Sequence, residues 1–173
     1  MFDAIDTSPL PASAFLRRHA EDGDYTDCYA TRLPIESSLP DYVEAFYTTA
    51  LFKAERFLLK WLASLPSTDE DARQLARGRR REFAAWLVED RGEDQLLLYD
   101  IRKRTGSWFM CRPHGSGSVL YFGSVVFRTE ETKRGRSMKS TYRLMLGFHR
   151  LYSRALLSAT RSRLLRRHGQ SKD

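Results

Sequence analysis

Short runs crowded with aromatic and β-branched residues, set apart by polar stretches containing glycine or proline, fill the first and middle parts of the chain. The run at 25–33, Tyr-Thr-Asp-Cys-Tyr-Ala-Thr-Arg-Leu, reads as a strand stopped by Pro34. Four more strand-like runs follow at 83–89, 95–101, 107–112 and 118–128. Their connections at 91–94, 103–106 and 115–117 are short and contain glycine, as hairpins between antiparallel neighbours require. About five strands in an antiparallel meander are therefore expected. These strands are apolar on both sides: Trp86 and Val88 oppose Phe83 and Leu87, while Tyr121 and Val125 oppose Leu120, Phe122 and Val126. Both faces of the sheet then need a cover.

The helical pattern lies elsewhere. Ser38 is placed to cap a helix beginning near Pro40, and helical structure is expected to run to about residue 63, either unbroken or split by the weak interruption at Thr48 and Thr49 into 40–47 and 50–63, with Phe46, Phe52, Phe57, Leu58 and Trp61 as buried candidates. Residues 67–78 carry a hydroxyl cap, three acids in the first turn, a basic last turn and a terminal glycine, which predicts a short helix. Residues 140–168 predict a long one. At about 100° per residue, Leu144, Phe148, Leu151, Tyr152, Ala155 and Ala159 share one side, with Arg143, Arg150, Arg154 and Arg161 opposite. That arrangement sets an apolar face on the sheet and an arginine stripe outside. The helices at 40–63, or else a second copy of the chain, are expected to cover the other face of the sheet.

The order of elements divides the chain into a lead-in segment at 1–24 with a short helical stretch near 12–20, a single α+β domain at 25–168 and a frayed tail at 169–173. A basic loop is expected at 129–140. The composition, 42% hydrophobic and 29% charged, is that of a folded globular chain. No apolar run approaches the roughly 20 residues that span a bilayer, and acidic residues stand where a signal peptide would be basic, so a cytoplasmic protein is expected. Cys28 and Cys111 are too few for a disulfide framework, and no cysteine or histidine spacing marks a metal site. The net charge of +7 is uneven: residues 132–173 hold twelve Lys or Arg against one Asp, an excess of +11 that leaves −4 for residues 1–131.

Phosphate loops, dinucleotide glycine fingerprints, HExxH and nucleophile elbows are all missing, so no cofactor is expected. The weaker candidates for catalysis are Asp100, which ends an apolar strand, and His149, near the apolar face of the last helix, with Tyr152 beside it. A strand-end carboxylate and a boundary histidine in purely structural roles are the competing readings. Arg143, Arg150, Arg154 and Arg161 form a candidate anion site for lipid headgroups or nucleic acid. Without interleaved aromatics, specific nucleic-acid binding is not expected of them, and a solvated stripe accounts for the same pattern.

Three segments, Phe46-Tyr47-Thr48-Thr49-Ala50-Leu51-Phe52, 120–124 (Leu-Tyr-Phe-Gly-Ser) and 146–154 (Leu-Gly-Phe-His-Arg-Leu-Tyr-Ser-Arg), resemble segments of a bacterial family of the helix-grip superfamily, the polyketide-cyclase and START-like proteins. The resemblance spans most of 25–165 and implies a helix-grip-like fold, with a small apolar or amphipathic ligand held between sheet and C-terminal helix. The rings expected around such a ligand are Trp86, Tyr99, Trp108, Tyr121, Phe148 and Tyr152, although plain core packing explains them equally well. A cyclase- or lyase-type enzyme in the same pocket is the alternative. A homodimer and peripheral membrane contact stay open at this point.

Overall fold

The computed structural model describes residues 5–63, 66–128 and 139–170, excepting the side chains of residue 55 and of 58–63 and 139–148. The candidates Leu58, Trp61, Arg143, Leu144 and Phe148, and most of the basic loop at 129–140, therefore lie outside what is described. The elements in chain order are β1 (Asp6–Thr7), α1 (Arg17–Glu21), β2 (Tyr25–Leu33), α2 (Leu39–Tyr47), α3 (Ala50–Ala63), α4 (Asp69–Ala76), β3 (Glu82–Phe83), β4 (Trp86–Arg91), β5 (Gln95–Asp100), β6 (Thr105–His114), β7 (Gly117–Val126) and α5 (Lys139–Gln170). Among the described residues no helix is long and apolar enough to cross a membrane.

The class is α+β, and the sheet is antiparallel with the order β1-β2-β7-β6-β5-β4-β3. Among the described residues it has seven strands, not about five. The run at 83–89 is broken by a tight turn at Ala84, whose φ is +50°, into β3 and β4, and the lead-in adds an edge strand through the pairs Asp6↔Ala30 and Thr7↔Tyr29. β2 closes the meander by pairing with β7 over its whole length, from Tyr25↔Val126 to Leu33↔Ser118.

Register sorts the side chains into rows that cross the sheet. Tyr29, Phe122, Phe109 and Leu96 stand in one row, and α2 packs on it: the Phe46 ring stacks on Phe122 at 4.9 Å and meets Phe109 edge-on at 4.8 Å. Local chemistry makes that helix, since Ser38 accepts from the Asp41 amide at 3.2 Å, with Pro40 in the first turn. α4 begins with a reciprocal capping box of Thr68 and Asp71.

The helices at 40–63 do not take the second face. α2, α4 and α5 share one core with the Phe122 row, and Phe52 of α3 joins them. The opposite row, Cys28, Gly123, Trp108 and Leu97, is covered by the lead-in residues Leu10, Ala14, Phe15 and Leu16. Gly123 makes room for this cover: a Cβ there would stand 2.7 Å from Leu16 Cδ2 and 3.0 Å from Trp108 Cε3. Gln95 fastens it. Its buried amide oxygen accepts from the Phe15 N–H and the Trp108 indole N–H, both at 3.0 Å, while its Nε2 donates to the Ser13 carbonyl at 2.9 Å.

α5 also sits differently from its hydrophobic pattern. The described residues it buries are Ser153, Leu156, Leu157, Thr160 and Leu164, whereas Leu151 is 70% exposed. The buried face is turned from the expected one by well over a third of a turn. Two polar residues disguise it, and Thr160 satisfies itself by donating to the Leu156 carbonyl at 2.7 Å. The rotation brings the arginines to the sheet edge rather than outward. Arg150 donates to the Tyr25 hydroxyl at 3.0 Å, Arg154 to the Ile5 carbonyl at 2.9 Å and Arg161 to the Arg32 carbonyl at 3.0 Å.

Two outcomes follow. Leu16→Ala, which empties a fully buried site under Gly123, is expected to cost about 2–5 kcal/mol in urea unfolding; a loss below about 1 kcal/mol would mean that the lead-in is not part of the core. Burial, helped by Asp27, pushes the Cys28 thiol up to about 12, and burial likewise pushes Cys111 up to about 11. The folded chain thus keeps protons that unfolded thiols release from about pH 8.5. Stability is expected to hold below that pH and to fall as pH climbs toward about 11, which unfolding curves at about pH 7 and about pH 10 will check.

Candidate functional site

The row next to the Phe122 row is polar. Asp27 of β2 pairs in register with Ser124 of β7, and Ser124 with Ser107 of β6. All three alternate with the Cys28 and Trp108 side of the sheet, so they sit on the face that carries α5. Ser124 is 1% exposed, and both its amide, at 3.1 Å, and its hydroxyl bond to Asp27 Oδ1. From α5, His149 Nε2 reaches the same hydroxyl at 2.6 Å. A continuous Asp27–Ser124–His149 chain results, buried at its centre.

Beside that chain lies a cavity of about 390 Å³ between the sheet, the helices α2 and α3, and α5. Phe46, Phe52, Trp86 and Phe122 supply aromatic wall, Thr105 and Ser107 supply hydroxyls from the sheet, and His149, Tyr152, Ser153 and Leu156 close it from α5. Phe52 and Trp86 hold one another at 5.6 Å between ring centres. Ser153 is 1% exposed, and its hydroxyl has no hydrogen-bond partner among the described residues. Leaving a buried hydroxyl unpaired costs about 1–3 kcal/mol, so its position on the cavity wall calls for a function.

Of the rings expected around a ligand, the structure brings Trp86 and Tyr152 to this cavity. Trp108 and Tyr121 belong to the opposite face, in the cluster under the lead-in, and Tyr99 alternates with Leu98 onto that face as well, where Lys103 lies 5.2 Å from its ring centre. Phe148 is among the side chains not described. The catalytic candidates are not brought together: the Asp100 carboxylate accepts from the amides of Arg102 at 2.8 Å, Arg104 at 2.9 Å and Thr105 at 2.5 Å, which binds it into the β5–β6 turn. The carboxylate linked to His149 is Asp27.

A second, more polar recess of about 550 Å³ lies along β2, where Tyr25, Asp27, Arg150 and Arg154 meet Thr7 and Ser8. Burial above all, then Asp27 and Tyr25, lifts the Tyr29 hydroxyl to about 12 against the opposing pull of Arg150 and Arg154. Tyr29 thus remains a donor, at a long 3.5 Å from Asp27 Oδ2. Among the described residues no three His, Cys, Asp or Glu side chains converge as a metal-ligand set.

Alternation along two strands carried the missing signal. Asp27 shares its face with Tyr29 and Leu33, and Ser124 shares its face with Leu120 and Phe122, so both are polar residues in core-facing register. Ser124→Ala is expected to destabilise by about 1–3 kcal/mol in urea unfolding, because it strips Asp27 of a donor and His149 of its partner at once.

Compared with known proteins, the chain matches no family model, no curated protein and no solved structure.

Proposed function

We propose that the protein binds a small apolar or amphipathic molecule in the cavity between the sheet and α5. One observation carries this reading: an aromatic cavity of small-molecule size is bordered on the helix side by His149, Tyr152 and Ser153. Its volume falls in the range of about 300–1,000 Å³ usual for such sites, and rings with a few convergent polar groups are their usual lining. The helix-grip resemblance points the same way, since it implies a ligand in this gap.

A second reading, an acid–base enzyme of cyclase or lyase type in the same pocket, is favoured by the Asp27–Ser124–His149 chain. Contact with anionic lipid or nucleic acid through the arginines draws less support, because Arg150 and Arg161 donate to β2 and Arg154 to the carbonyl of Ile5, just before β1.

The test is native mass spectrometry with solvent extraction, followed by a thermal-shift screen of apolar and amphipathic metabolites. A ligand at 100 times its Kd is expected to add about 2.7 kcal/mol of stability. Trp86→Ala, which removes a wall of the cavity, is expected to weaken the best compound about tenfold, ~1.4 kcal/mol. A screen without a single shift would refute the reading.

A further inference from the structure

We infer that the polar end of this cavity offers a guest one lone pair, from His149, and one hydroxyl, from Ser153, which selects a guest carrying a hydroxyl, phenolic or enolic, on a flat apolar body; the inference rests on the ligand-binding reading above and specifies the class of ligand.

The direction of the hydrogen bonds decides it. The Asp27 carboxylate can only accept, and its Oδ1 receives both the amide and the hydroxyl of Ser124. Ser124 has a single hydroxyl hydrogen, and it is committed to Asp27. Toward His149 the Ser124 oxygen can therefore only offer a lone pair, so the 2.6 Å contact requires the hydrogen on Nε2. In the neutral ring that assigns the lone pair to Nδ1. Nδ1 has no hydrogen bond to any described residue, and His149 is part of the cavity wall. Asp27, acting through Ser124, fixes the tautomer and strengthens Nδ1 as an acceptor. It is a positioning residue and need not touch the guest.

Ser153 supplies the complement. It stands one helical turn beyond His149, about 5–6 Å away between Cβ atoms; the residue borders the same cavity, and its hydroxyl is buried and unpartnered. A guest hydroxyl can donate to Nδ1 and, with the Ser153 hydroxyl turned toward the cavity, accept from it through the same oxygen. A ketone, ether or carboxylate offers only lone pairs and leaves Nδ1 facing another acceptor. A bare hydrocarbon leaves both protein groups unpaired. Sites built to pair a hydroxyl discriminate strongly against analogues that lack it. The flat body is set by Trp86, Phe46, Phe52 and Phe122, whose rings suit stacked or edge-on contact with another ring.

The test titrates the full-length protein with three probes of nearly one shape, naphthalene, a naphthol and a naphthoate, by calorimetry or quenching of tryptophan fluorescence. The naphthol is expected to bind about tenfold or more tightly than either of the others. In Ser153→Ala and Asp27→Asn this preference is expected to shrink severalfold while naphthalene affinity stays level. The wild-type comparison stands even if a variant fails to fold, which its melting curve will reveal. Equal binding of naphthol and naphthalene, or tightest binding of the naphthoate, overturns the inference while leaving an apolar pocket in place. A preference that survives in both folded variants overturns the assignment to this chain of residues. No binding of any probe overturns the inference together with the reading beneath it.

Discussion

A sheet that is apolar on both faces has to be covered twice, and every other feature of this fold answers to that constraint. One cover is the helical layer of α2, α4 and α5 with Phe52 of α3. The other is a stretch of lead-in chain whose only helix among the described residues is the five residues of α1. So slight a cover works because Gly123 lets Leu16 sink to the backbone of the sheet, and because Gln95 meets the polar groups of the descending chain with its own amide. Without that amide, the Phe15 N–H and the Ser13 carbonyl would meet an apolar surface with no partner.

The helical side has the opposite character. There the cover is ample, but its polar content is placed inside. Asp27, Ser124 and Ser107 run across the sheet, and α5 answers them with His149, Ser153 and Thr160 on or beside its buried face. Thr160 turns back to its own helix, and His149 finds Ser124. A core built only for stability would have leucine or valine at these positions, since a buried polar row at best breaks even with apolar packing. The cost falls where aromatic rings and hydroxyls border the same cavity.

Much of the fold was legible in the sequence, because its signals are local. The nine-residue strand β2, both helices of 40–63, the Ser38 cap and the Gly-containing hairpins depend on propensities and turn chemistry that act over a few residues. What escaped is what depends on partners far along the chain. A strand of two residues has no pattern of its own, and β1 exists only because β2 is there to pair it. The orientation of α5 was misread because Ser153 and Thr160 count as surface residues in any hydrophobic periodicity, although the fold buries both. Trp108 and Tyr121 were assigned to the wrong side for a related reason: in a strand apolar on both faces, alternation shows which residues go together but not which face meets the helix.

The attachment of Arg154 to the carbonyl of Ile5 joins positions 149 residues apart, and Asp27 waits for a serine 97 residues downstream. Synthesis proceeds at about 5–20 residues per second, so β2 emerges many seconds before β7, which pairs with it over its whole length. Local helices offer no early refuge, since α2 and α4 need the completed sheet to bury Phe46 and Leu75. The nascent chain must therefore keep the β7-facing edge of β2 unpaired until β7 arrives, and its folding rate is governed by the closure of those long loops. The polar residues that punctuate β2, Thr26, Asp27, Thr31 and Arg32, have a second value in that interval: they break up an exposed β-forming segment that would otherwise pair with the strand of another emerging chain.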